Sequence, residues 1–182
     1  MRHGILLLGD PLLRRSATGV EDFSSPEIRS DIAALKATLE EFRAEKGFGR
    51  GIAAPQIGVS KKILALNLGK GTFVLINPKI TRFGEAKFTL WDDCMSFPDL
   101  LVRVERSATI DIEYMDESGV KIEWKNLGQA EGELLQHEID HLHGVLAVDR
   151  ALDRESLVYR SVFMERRSYF EGLVDYRIEP TI

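Results

Sequence analysis

Residues 136–141 read Gln-His-Glu-Ile-Asp-His. On a helix, residues four apart share a face, so His137 and His141 can turn both imidazoles toward one metal ion. Glu138 follows the first histidine and can reach a water beside that ion without ligating it. Two nitrogen ligands, one general base and a position left for water make up the H-E-x-x-H logic. His143 lies in the same run, and His3 stands apart at the N-terminus. The competing reading is a polar helix face whose histidines happen to be spaced by four.

Two histidines do not hold a catalytic metal alone. H-E-x-x-H peptidases take a further histidine or glutamate downstream, and Asp149, Asp153, Glu155 and Glu165 keep that route open. Upstream, Trp91-Asp92-Asp93-Cys94-Met95-Ser96-Phe97-Pro98 offers Cys94. A thiolate with two imidazoles suits Fe(II) or Zn(II), and the metal would itself keep the thiol deprotonated. A lone cysteine is as readily a small buried hydrophobe, so residue chemistry leaves both routes standing. A third segment reads Gly49-Arg50-Gly51-Ile52-Ala53-Ala54-Pro55-Gln56. Its two glycines let another backbone come close, and the small, rigid residues before Gln56 suit a side chain held in one pose. A phosphate-binding loop is excluded, because there is no G-x-x-x-x-G-K and no helix start after the glycines.

Those segments need elements to carry them. Ser25-Pro26 reads as an N-cap and first helical residue. Behind it Ile28, Ile32, Leu35, Leu39 and Phe42 recur at spacings of three and four, predicting an amphipathic helix that ends at Gly47. Residues 62–67 and 73–77 read as short strands, with a third over about 86–91. Residues 101–115 alternate, with Ile110, Ile112 and Tyr114 on one face. Asp116–Gly119 then turns the chain back over 120–124 as a hairpin. The motif helix is predicted over about 129–142, stopping near Gly144. A last helix is expected over about 153–171, with Leu157, Val158, Val162, Phe163 and Phe170 as its buried stripe. With no repeat and no linker, the elements predict one α+β domain over residues 1–182.

Composition excludes more than it names. With 182 residues, 44% of them hydrophobic, the chain can bury a real core. A net charge of −5 argues against DNA or RNA as the main partner. No apolar run approaches the roughly 20 residues that span a bilayer. The stretch Ile5–Leu8 is too short for a signal-peptide core. A single cysteine excludes an internal disulfide and fits a cytoplasmic setting.

Taken together, the three segments resemble the peptide deformylase family, which carries G-x-G-x-A-A-x-Q, then E-G-C-x-S, then Q-H-E-x-D-H in this order. Gly9-Asp10-Pro11-Leu12-Leu13-Arg14 is similar to the family's N-terminal G-D-P-x-L-R, so the likeness covers a core of about residues 5–150. The resemblance implies antiparallel sheets packed around the central motif helix, flanked by an N-terminal and a C-terminal helix. It also implies that Cys94, His137 and His141 bind the metal, and that Glu138 moves a proton from water to the leaving amine. By the same resemblance, the Gln56 side chain and the Met95 backbone N–H stabilise the oxyanion. Fe2+ is the expected native ion, with Zn2+ or Ni2+ as alternatives. The reaction would be hydrolysis of the N-terminal formyl-methionine formamide of newly made polypeptides. Asp140 lies off the ligand face of its helix, and Arg106 is its candidate ion-pair partner.

The chain departs from the family around that machinery. Glu-Gly before the cysteine becomes Asp92-Asp93, Arg50 stands where a small aliphatic residue is usual, and Gly132-Glu133 replaces a common Ala-Arg. The expectation is that Arg50 pairs with Asp93 or Glu133 at the mouth of the cleft. Gly51, Arg50, Asp93, Glu133 and Leu134 are then the candidate substrate-binding residues. Two alternatives accompany the deformylase reading: an amidohydrolase or peptidase with altered acyl or residue specificity, and a non-catalytic N-terminal-peptide-binding relative. Arg154, Arg160, Arg166 and Arg167 could touch ribosomal RNA weakly, but a solvated face paired with Glu155, Glu165 and Glu171 is the preferred reading. Sequence leaves the oligomeric state open.

Overall fold

The structure is a computed structural model and describes residues 4–178; His3 lies outside the described residues. Helix α1 spans Pro26–Lys46 and ends at Gly47, as its periodicity predicts. Strands β1 (Gly51–Ala53), β2 (Ile63–Asn67), β3 (Thr72–Phe83), β6 (Ile110–Met115) and β7 (Lys121–Leu127) form an antiparallel sheet in the order β1-β2-β3-β6-β7. A second antiparallel sheet joins β4 (Lys87–Asp93), β5 (Leu100–Ser107) and β8 (Leu157–Tyr159). Helix α2 spans Gln129–Leu142 and carries the histidine motif.

The period-2 alternation of the strands decides what packs where. In β2, Ile63 and Ala65 join α1's Leu35 and Leu39 in one buried cluster. The intervening Leu64 and Leu66 face the other way, into a cluster with α2's Leu135, Ile139 and Leu142. The large sheet therefore lies between the two helices, which explains why every residue of β2 is buried. A third cluster lines the small sheet with Phe88, Leu90, Val102 and Val104, and it contains Cys94. Gly144 stops α2 with φ +72°, and a Cβ there would sit 2.5 Å from the Arg14 carbonyl oxygen, so only glycine allows that approach.

Three expectations need correction. Residues 101–115 do not form one strand, because the chain changes sheets at Ala108-Thr109. Buried Val102, Val104, Ile110, Ile112 and Tyr114 keep the same parity across that change, so alternation gave no sign of it. Strand β3 runs past 77 to Phe83, where its residues are largely exposed. That half is held by pairing with β6, for example Lys79 opposite Glu113, rather than by an apolar pattern. The helix expected over about 153–171 begins only at Arg160 and is interrupted at Arg166, giving α3 (Arg160–Glu165) and α4 (Arg167–Glu171). Leu157–Tyr159 instead add an edge strand to β5, and Leu157 and Val162 are exposed. The aromatic members of the expected stripe do pack: Phe163 and Phe170 both meet Trp91 edge-on.

Candidate active site

Helix α2 brings His137 and His141 to one buried face, and the end of β4 delivers Cys94 against them. Cys94 Sγ lies 3.3 Å from His141 Nε2, which lies 3.2 Å from His137 Nε2. Their ligand atoms all fall within 4.8 Å of one another. The competing downstream carboxylates lie elsewhere: Asp149 pairs with Arg14, and Asp153 with Arg103. His143 is exposed at the end of α2.

A buried carboxylate fixes the orientation of the first imidazole. Asp92 Oδ2 is 2.9 Å from His137 Nδ1 and accepts from Arg106 Nη2 at 3.1 Å. Burial alone would push the Asp92 carboxyl up, but His137 and Arg106 outweigh it and hold it at about 2. Burial disfavours charge on His137, yet Asp92 in turn holds its pKa well above the usual histidine value. With the Nδ1 proton directed to Asp92, Nε2 turns toward His141 and Cys94 and would give up its proton to ligate an ion. Burial also opposes charge on His141 and moves its pKa well below the usual histidine value. It pushes the Cys94 thiol up. At 3.3 and 3.2 Å either a shared proton or a cation must lie between these donors, and two imidazoles with a thiolate suit a divalent transition ion. The donor set fits a metal.

Around this centre the backbone is stitched together by the N-terminal segment. Leu6 N donates to Gln56 O and Leu8 N to Ser96 O, both at 2.8 Å, tying the glutamine loop to the cysteine loop. The Gln56 Oε1 atom accepts from Ala53 N at 2.8 Å, so its amide nitrogen must face the centre. Nε2 lies 3.1 Å from Ser96 Oγ and 3.5 Å from Cys94 Sγ. Met95 follows Cys94 directly and lines the same cleft. Gln136, the first residue of the motif, clamps α2 onto β5: it accepts from Ser107 N at 2.9 Å and donates to Ser107 O at 3.0 Å. Asp140 points away from the ligands and accepts from Arg106 at 2.6 Å and from Arg150 at 2.5 Å.

Glu138 is buried beside the donor triad, and burial pushes its carboxyl up to about 7. Its Oε2 has no hydrogen-bond partner among the described residues. Gly51 makes the space for this side chain, since a Cβ there would lie 2.7 Å from Glu138 Oε1 and 2.9 Å from Leu66 Cδ2. Gly51 lines the cleft, as expected of a candidate substrate contact, and also packs against this carboxylate.

A cleft of about 310 Å³ opens over the centre, lined by Arg50, Asp93, Glu133 and Leu134 among others. Arg50 pairs with Glu133 and not with Asp93. Asp93 is instead held by Arg160 at 2.8 Å. Arg160 also donates to Pro98 O at 2.7 Å and lies 4.8 Å over the Phe48 ring. Reading 160 as one more solvated arginine missed this role. The usable signal was the charge of Asp93 itself, which attracts a nearby cation in a partly exposed cleft wall.

Comparison with known proteins gives one answer. The family described as polypeptide deformylase matches residues 3–156. The peptide deformylase of Thermotoga maritima is 33% identical over 163 residues, covering 90% of this chain and 95% of that one. The one from Rhizobium meliloti is 39% identical, covering 86% and 90%. Among solved structures, the Thermotoga maritima peptide deformylase aligns with TM-score 0.76 at 32% identity, covering 84% of this chain and 99% of that one. The Synechococcus elongatus peptide deformylase in complex with actinonin aligns with TM-score 0.75 at 34% identity, covering 84% and 80%.

Proposed function

This chain belongs to the polypeptide deformylase family, and from that premise we propose how its own residues perform the reaction. The enzyme is a metal-dependent hydrolase that removes the formyl group from the N-terminus of newly made polypeptides and releases formate. In our reading Cys94, His137 and His141 hold one divalent ion, with Fe2+ as the native metal and Zn2+ or Ni2+ as substitutes. The bound ion supplies Lewis acidity toward the formyl group and a water molecule.

The protein supplies the rest. Glu138 takes a proton from the attacking water at its unpartnered Oε2 and gives it to the leaving amine nitrogen as the C–N bond breaks. A carboxyl raised to about 7 suits both directions of that transfer. Gln56 Nε2, aimed by the Ala53 contact, donates to the oxyanion on the attacked carbon, with the Met95 backbone N–H as second donor. Asp92 keeps His137 in the tautomer that presents Nε2. Asp140 and Arg106 brace that carboxylate from behind. Arg160 and Arg167 are tied to Asp93 and Glu171, which supports structural pairing over contact with ribosomal RNA. No helix among the described residues is long and apolar enough to cross a membrane; we assign the work to the cytoplasm, where formylated nascent chains arise.

The observation that carries this reading is the convergence of the Cys-His-His triad beside an unpartnered buried glutamate. Its test uses anaerobically purified protein, metal quantification and formate release from formyl-Met-Ala-Ser. We expect about one metal ion per chain, with formate release that Glu138→Ala abolishes while the metal stays bound. A metal-loaded wild type that releases no formate, or that turns over acetylated or unblocked peptides instead, overturns it.

A further inference from the structure

We propose that the pocket receiving the first side chain of the formylated peptide favours a neutral hydrogen-bonding group such as glutamine, with Arg50 as its specificity-determining residue. This rests on the deformylase reading above. Arg50 precedes Gly51, which abuts Glu138, and Glu133 lies one helical turn before His137 on the same face. Both line the cleft, so a peptide that presents its formyl group to the triad sets its first side chain near them.

The two side chains are unequally accessible. Arg50 retains 11% exposure and Glu133 only 2%, so the guanidinium is what an incoming group meets first. One Arg50 nitrogen donates to Glu133 and another to Ala130 O at 3.1 Å. Beyond it Asp93 is paired with Arg160. The cleft wall thus presents charges of alternating sign: Glu133, Arg50, Asp93 and Arg160.

Each class of side chain is sorted by that wall. A carboxylate faces Glu133, Asp93 and Glu138, and an ammonium faces Arg50 and Arg160. Methionine removes water from Arg50 and returns only a weak sulfur acceptor, a loss worth about 5- to 100-fold in kcat/KM. Glutamine carries a neutral acceptor oxygen for the exposed edge of Arg50, while Glu133 stays sealed behind it. It also matches methionine in unbranched length, so comparing the two isolates polarity. Leu134 and Met95 remain available for the methylenes of either.

The test measures kcat/KM for formyl-Gln-Ala-Ser, formyl-Met-Ala-Ser and formyl-norleucine-Ala-Ser with metal-loaded wild type and with the paired variant Arg50→Leu/Glu133→Leu. Replacing both partners avoids stranding a buried carboxylate, and the wild-type ranking is informative whether or not that variant folds. We expect formyl-Gln to equal or exceed formyl-Met and norleucine to be poorest, with the Gln-to-Met ratio falling at least tenfold in the variant. A wild type that ranks norleucine and methionine above glutamine overturns the proposal, as does an unchanged ratio in a folded variant. No formate from any of the three peptides overturns the deformylase reading instead.

Discussion

Gly51→Ala tests the geometry of the site with a single methyl group. No positive φ constrains Gly51, so alanine strains nothing in the backbone and any effect is steric. The new Cβ would meet Glu138 Oε1 at 2.7 Å, Glu138 Cδ at 3.0 Å and Leu66 Cδ2 at 2.9 Å. Ordinary contact begins near 3.4 Å, and both neighbours are buried, so neither swings freely into solvent. The carboxylate must retreat by about 0.5 Å or more, because Leu66 is locked between the sheet and α2. Overpacking of this kind costs about 1–3 kcal/mol, or a Tm lower by roughly 2–12 °C for a chain of this size. A 1 Å misplacement of a catalytic group costs about 10²-fold, so we expect kcat to fall about 10- to 100-fold. The assay is formate release from formyl-Met-Ala-Ser by metal-loaded enzyme, with metal content and Tm measured on the same samples. Gly19→Ala, whose Cβ meets only Asn77 Oδ1 at 3.5 Å, serves as the control. A Gly51→Ala enzyme with full metal, kcat within twofold of wild type and unchanged Tm would show that Glu138 does not occupy the position on which the proton transfer depends.

Three other outcomes follow from the same structure. Gln56→Ala should lower kcat by about 10²–10³ with little change in metal content, since it removes one oxyanion donor; a loss below threefold refutes that role. Chelating the ion should abolish activity and lower Tm by about 5–10 °C, because an ion bound only by the folded chain at about 100 times its Kd stabilises it by roughly 2.7 kcal/mol; a Tm indifferent to chelator refutes the Cys-His-His site. Burial, only partly offset by Arg50, pushes the Glu133 carboxyl up to about 7 from an ordinary 4.5. The folded state therefore binds this proton more tightly than the unfolded chain. The resulting stability is complete below about 4.5 and is lost as pH rises through 7, by up to about 3 kcal/mol. Denaturant melts from pH 5 to 8 should show wild type losing stability relative to Glu133→Gln; parallel curves refute the shift.

Much of the site was legible because it is local. His137, Glu138 and His141 need only helical spacing, and the predicted span of about 129–142 matches α2 closely. Helix α1 was equally readable, since its five apolar positions define one face and Gly47 ends it. What sequence could not show was long-range partnership. Leu157, Val158 and Val162 fit a helical stripe by spacing, but the unpaired edge of β5 offers the first two backbone hydrogen bonds, and the strand wins. Tertiary pairing likewise extends β3 beyond its apolar half. The same limit applies to Arg160, whose partners Asp93, Pro98 and Phe48 are all distant in sequence.

The partnership of Asp93 with Arg160 also explains how a charged cleft wall can sit beside the buried donor triad. The family match ends at residue 156, yet α3 and α4 supply one wall of the cleft. They are fixed there by Trp91 Nε1, which donates to Phe170 O at 2.8 Å, and by Asp175, which accepts from Thr89 N at 2.9 Å. Asp93, immediately before Cys94, sets a partly exposed carboxylate in the cleft wall. Arg160 pairs with it from outside the family-matched region, and Arg50 pairs with Glu133 from within it, partly offsetting its burial. Each carboxyl has its partner in the wall, not in the triad, so Asp92 remains reserved for His137 and Arg106. The ion pairs of the wall are therefore separate from the hydrogen bonds that hold the buried donors, so a change in one need not disturb the other.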